Sequence, residues 1–223
     1  YAFYSLMNEL TKEDVYKKRA SETLAWLNKN AYSKVATPVV KRGKGDSTIA
    51  TDTYAWSITA VGPQALKDSG MDPDAIMDFA LAQCGVSVEY KKQEGSYVSV
   101  KGFDFAKHQN LARGGVVSCE WTAQMILALK IMAGYHLGRG YEEKALYYSR
   151  LGDEYTSELS KMIVSSPSPV GQGDFCLPYA SHEFADTGHG WRTPKGSRTG
   201  SVAATAYAVL AIDGFNPLRF NEK

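Results

Sequence analysis

Apolar side chains recur at helical spacing over most of this chain. Between residues 12 and 32, Val15, Tyr16, Ala20, Leu24, Trp26 and Leu27 alternate with charged residues in the manner of an amphipathic helix with one wet side. A second helix is predicted over about 48–61, stopped by Gly62-Pro63. A short one runs from Asp72-Pro73-Asp74 to Gln83, opened by an acidic cap with proline in its first turn. The most apolar helix covers 117–137 and ends near Gly138 and Gly140. Its partner covers 141–164, with Leu146, Leu151, Tyr155, Leu159 and Ile163 on one side and charges on the other. A turn that short makes the two antiparallel neighbours. A last helix, 201–212, meets Asp213-Gly214 and Asn216-Pro217.

The period changes from 3.6 to 2 in one place. Val86, Val88 and Tyr90 alternate, and Tyr97, Val98 and Val100 follow a Glu94-Gly95 turn, so a small β-hairpin is expected over about 86–105, inserted among helices. Two segments show no period. Residues 37–47, with Pro38, Gly43 and Gly45, read as a surface loop. Residues 165–198 form a loop long enough to be functional, and Phe175, Tyr179, Phe184 and Trp191 give it material with which to pack. The chain opens on Tyr1, Phe3, Tyr4, Leu6 and Met7, an apolar pattern that reads as the middle or end of a helix, as in a processed chain or part of a longer one.

Three of the helices share a register. Asp52-Thr-Tyr-Ala-Trp-Ser-Ile-Thr-Ala60, Glu120-Trp-Thr-Ala-Gln-Met-Ile-Leu-Ala128 and Ala203-Ala-Thr-Ala-Tyr-Ala-Val-Leu-Ala211 align at Ala55, Ala123 and Ala206, at Ile58, Ile126 and Val209, and at Ala60, Ala128 and Ala211. Helices this rich in alanine and apolar nearly all round are buried on most faces, whereas those between them have one wet side. Buried helices alternating with half-exposed ones suit an inner ring wrapped by an outer one.

At this point the chain resembles the six-hairpin, or α/α-toroid, glycosidase-like proteins. The likeness is carried by Ala50-Thr-Asp-Thr-Tyr-Ala-Trp56, Ser118-Cys-Glu-Trp-Thr-Ala-Gln124, Thr187-Gly-His-Gly-Trp-Arg-Thr-Pro194, Gly200-Ser-Val-Ala-Ala-Thr-Ala-Tyr207 and Gly214-Phe-Asn-Pro217. It implies an all-α fold, a full or partial α/α toroid of helical hairpins with the β-hairpin inserted. Residues 1–223 would form one such domain, or the C-terminal portion of a longer toroid. A complete toroid uses six inner helices, of which three are recognisable here. The resemblance also implies a glycan cleft at one rim and an extracytoplasmic or periplasmic setting.

The register places Asp52 and Glu120 at the same position, the first turn of a buried helix, with Ala203 in the third copy. Two carboxyls on one rim are what glycoside hydrolysis needs, one to protonate the leaving oxygen and one to act as base or nucleophile. An acid at a helix N-terminus is also favourable against the dipole alone. Trp56, Trp121 and Trp191 stand near these acids in sequence and are candidates for stacking on sugar rings, with core packing as the plain alternative. His182, Glu183, Asp186 and His189 gather two histidines and two acids in the long loop, with Arg192 beside Trp191. Their spacing matches no zinc signature, so hydrogen bonding to sugar hydroxyls or to the loop itself is expected there and no metal or other cofactor is implied. Asp104, between Phe103 and Phe105, is a further candidate for substrate binding.

Charge narrows the partners. Lysine and arginine number 25 against 24 acids, which advertises neither nucleic acid nor an anionic membrane. The longest apolar stretch, 125–133, is broken by Lys130 and is too short for a membrane span. Cys84, Cys119 and Cys176 form neither a disulfide framework nor a C-x-x-C pair. No G-x-S-x-G turn or phosphate-binding loop is present, and Gly43-Lys44-Gly45 and Arg113-Gly114-Gly115 are too short to count as one. The expected partner is a poly- or oligosaccharide, cleaved by a glycoside hydrolase-like mechanism. A non-catalytic glycan-binding or scaffolding role is the alternative, as is a polysaccharide lyase using Tyr179, His182, His189 or Arg192. A terpenoid cyclase lacks its D-x-D-D motif.

Overall fold

A computed structural model describes residues 1–37, 39–107, 115–165, 174–195 and 199–219. Arg113, Gly114 and parts of the expected long loop lie outside these. Helices α1 (Ala2–Thr11) and α2 (Asp14–Asn30) pack on each other at one side. In α2 only Ala20 is buried, while Leu24 and Leu27 lean on the core and Val15 and Trp26 remain exposed. Next come α3 (Thr51–Trp56), which continues as a π-turn over Ser57–Val61, then α4 (Pro63–Asp68) and α5 (Pro73–Cys84). The Asp72 carboxylate caps α5 by accepting from Asp74 N and Ala75 N, as its sequence signals. Strands β1 (Gly85–Lys91) and β2 (Tyr97–Phe103) pair antiparallel with Val88 opposite Val100. Helices α6 (Cys119–Leu137) and α7 (Glu142–Ser160) form the antiparallel pair, β3 (Val164–Ser165) pairs with β4 (Phe175–Cys176), and α8 (Val202–Asp213) follows.

Helix α6 is the axis of the fold. It is buried on every side along Trp121–Leu129 because α7, α3 and α8 all pack on it. Each fully buried aliphatic side chain there contributes about 1.5–3 kcal/mol. One core cluster joins α3, α4, α5 and α6 through Ile58, Leu66, Ile76 and Met125. A second joins the hairpin to α6, α7 and α8 through Tyr90, Val100, Ile126 and Leu159. Among the described residues, no helix is long and apolar enough to cross a membrane.

The expected all-α toroid is not what forms. The molecule is about 53% helical, with two small antiparallel sheets, and is mixed α/β. The hairpin was read in the right place, but it is a wall of the core rather than an insertion, with Tyr90, Val100 and Phe103 fully buried. Nor do the three related helices close a ring. Helix α8 leaves Val202, Val209 and Ile212 exposed, where a closed ring would bury them. Alanine-rich periodicity reports how deeply a helix is buried, and a buried helix serves a mixed core as well as a ring.

Candidate functional site

The three related helices begin at one end of the molecule, and extended chain laces their starts together. Ala50 bridges Ala106, Ser118 bridges Ala180, and Pro178 bridges Gly200. Thr51 N donates to Phe105 O, Ser118 N to Phe103 O and Ser201 N to Leu177 O, at 3.2, 2.9 and 2.7 Å. At the other end Asn216, just past α8, donates to Thr59 O in the π-turn at 2.8 Å. Helices α3, α6 and α8 therefore run parallel with a common rim at their N-termini. The lacing pairs single residues far apart in sequence.

Asp52 and Glu120 meet at this rim as the register suggests. Both are half-buried. Burial raises the Asp52 carboxyl above its ordinary range, opposed by the Thr53 backbone N–H and by the adjoining His189 and Arg42 side chains. Its Oδ1 is buried without a hydrogen-bond partner. Burial, and then the charge of Asp52, raise Glu120, which Gln124 offsets by donating Nε2–H to Glu120 Oε1 at 3.1 Å. Neither acid forms an ion pair among the described residues. Two neighbouring carboxyls lifted together are the arrangement in which one holds a proton while the other does not.

Below the rim, the fifth position of each repeat faces one groove. Trp56 from α3, Gln124 from α6 and Tyr207 from α8 line it, and Asn216, Pro217 and Leu218 close its foot around a void of about 10 Å³, room for a single water. Trp56, one helical turn beyond Asp52, is 47% exposed. Gln124, which the sequence did not single out, is buried with its Oε1 unpartnered. An unmet buried acceptor costs about 1–3 kcal/mol. The larger apolar groove between α7 and α8, about 200 Å³ and lined by Ile163, Phe175, Val209 and Ile212 among others, contains no carboxylate or imidazole.

The long loop reaches the rim through His189. Its Nε2 lies 2.8 Å from Phe105 O and its Nδ1 3.1 Å from Arg42 Nη1. Arg42 is in turn held by Asp46 at 2.7 Å. The His189 ring stacks on Trp191 at 5.2 Å and meets Trp121 at 5.5 Å. Both nitrogens of His189 are thus engaged in holding the loop, and Trp191, 43% exposed, is presented at the rim. Asp186 and Thr187 build the turn that carries it. Asp186 Oδ1 accepts from Gly188 N, Asp186 bridges Arg192, and Thr187 Oγ1 donates to Trp191 O at 2.7 Å. His182 Nδ1 is 2.8 Å from Ser181 Oγ at the base of the loop, where Glu183 is half-buried, and Arg192 is exposed.

Two candidates occupy other places than expected. Asp104 is fully buried, and its carboxylate accepts from Phe105 N at 2.7 Å and Val116 N at 2.8 Å, so it clamps two passages of the rim lacing. Gly115 beside it has φ +109°, and an added Cβ would lie 2.6 Å from Val86 Cγ1. Trp121 is only 8% exposed and packs edge-on to Phe105 at 5.0 Å, a core role rather than an open platform. Among the described residues, no three His, Cys, Asp or Glu side chains are grouped to hold a metal ion.

Comparison with family models, curated proteins and solved structures finds no match to this chain. The expected kinship with six-hairpin proteins finds no support in these comparisons.

Proposed function

We propose that the shared rim is a carbohydrate-cleaving site of the glycoside hydrolase type, with Glu120 as proton donor to the leaving oxygen and Asp52 as its base or nucleophile partner. The observation that carries this reading is the meeting of two half-buried acids, in no ion pair among the described residues and raised above their ordinary range, at equivalent places on parallel helices. A structural carboxylate is normally stabilised in its charged form; these two are held where a proton is easier to keep, as a general acid requires. Trp56 and Trp191 offer half-exposed rings at the same rim for sugar faces. A ligand bringing its own carboxylate would face two acids that form no ion pair among the described residues, with Arg42 beside Asp52 already held by Asp46, so neutral or amino sugars suit the site better than uronates. That weighs against the lyase alternative, as does the engagement of both His189 nitrogens.

A panel of neutral, amino and acidic oligosaccharides, followed by product analysis and by tryptophan fluorescence, tests the reading. Cleavage of a neutral or amino glycan is expected, with fluorescence change on binding. Binding without products supports the non-catalytic alternative, and neither binding nor cleavage of any glycan removes the carbohydrate reading.

A further inference from the structure

Gln124 stands one helical turn below Glu120 on α6 and is 2% exposed. Its amide divides its two ends between two tasks: Nε2 donates to Glu120, and Oε1 has no partner among the described residues, on a side chain that lines the groove with Trp56 and Tyr207. That division follows from the charge on Glu120. An ionised carboxylate only accepts, so the amide must give it an N–H and turn the carbonyl away. A protonated Glu120 keeps one accepting oxygen and gains an O–H; where that O–H faces Gln124, the amide carbonyl accepts it and the NH₂ turns toward the groove instead.

We propose that Gln124 is a positioning residue that couples the proton on Glu120 to the hydrogen-bonding character of the groove, showing an acceptor when Glu120 is ionised and a donor when it is protonated. A sugar hydroxyl at the level of Trp56 and Tyr207 would donate to the first form and accept from the second. By linkage, a ligand that prefers either form shifts proton uptake at Glu120 in the matching direction. The titratable groups facing Glu120 are Asp52 from α3 and Tyr207 from α8, with Arg42 and His189 standing beside Asp52. Burial and the Glu120 charge together raise the Tyr207 phenol, which places that ring in the same electrostatic neighbourhood. The inference rests on the rim being the working face, yet its test needs no turnover.

The test is side-chain NMR on the full chain. In the wild type, the Gln124 Nε2 amide resonances should shift with pH at the same midpoint as the Glu120 carboxyl carbon, and this shift should vanish in Glu120→Gln. In Gln124→Met, which keeps the length and removes the amide, the Glu120 midpoint should move upward, because the N–H bond lost to the charged carboxylate is stronger than the carbonyl bond lost to the neutral acid. Amide resonances that stay flat while Glu120 titrates overturn the proposal, even if the methionine variant fails to fold. So does an unchanged Glu120 midpoint in folded Gln124→Met. Failure of the glycan panel with these couplings intact would instead fall on the hydrolase reading.

Discussion

Glu120→Gln should lower turnover of the responsive glycan by about 10²–10⁴-fold, the contribution of a positioned general acid, while leaving the fold at least as stable as the wild type. The second half distinguishes this site from a structural one. A carboxyl whose folded pKa lies above its unfolded value binds its proton more tightly in the native state, so it supports the fold at low pH and costs stability once pH rises through the folded value. Burial and the Asp52 charge raise Glu120, and burial raises Asp52. At neutral pH both are therefore a stability cost, and the neutral amides of Glu120→Gln and Asp52→Asn should hold or raise Tm. The acceptor for Gln124 Nε2 survives in Glu120→Gln, so local packing is kept. Thermal melts beside initial rates read both halves. A large loss of Tm in either variant would mark the acids as structural.

Asp74→Ala should be the opposite case, destabilising the protein by about 2–3 kcal/mol from the loss of hydrogen bonds to a charged group, or roughly 4–12 °C in Tm. The Asp74 carboxylate, at the start of α5, accepts from His136 on α6 and from Lys144 and Tyr148 on α7, each at 2.8 Å. His136 and Tyr148 are each 2% exposed and stack on one another at 5.5 Å, so removing the acid strands polar atoms that water reaches poorly. Burial works against the charged form, but the bonds from Lys144, Tyr148 and His136 hold Asp74 below its ordinary range. A depressed acid contributes stability that is present above its unfolded value, about 4, and lost as pH falls through the folded value. Urea unfolding of wild type and variant should therefore differ most near neutrality and converge in acid. A gap independent of pH would show that the cluster acts through packing alone.

The contrast between these clusters explains what sequence reading reached. Asp52 and Glu120 were legible because the repeat register carries position from one helix to the next, and the parallel packing of α3 and α6 preserves it. The same register would have found Gln124, which aligns with Trp56 and Tyr207, but an uncharged amide gives no chemical signal by itself. The Asp74 cluster was invisible because its partners lie 62 to 74 residues away in sequence. The hairpin was legible from its period of two. The rim lacing was not, since each bridge pairs single residues, such as Ala50 with Ala106, too short to show any period. For the same reason the mixed α/β character was missed. Residue type does not reveal burial, so the core alternative for Trp121 and the clamp role of Asp104 emerge only in the structure: the same carboxylate that would bind a sugar also clamps two backbone N–H groups. Arg42, in a segment read only as surface loop, reaches His189 across 147 residues and helps seat Trp191.

The most direct test of the rim as a glycan-cleaving site is a crystal structure of Glu120→Gln bound to the glycan that the panel identifies. The account predicts a glycosidic oxygen within hydrogen-bond distance of the substituted amide at position 120, the Asp52 carboxylate on the far side of the same bond, and a sugar ring against Trp56 or Trp191. A glycan seated in the apolar groove between α7 and α8, or anywhere away from Asp52 and position 120, would contradict it.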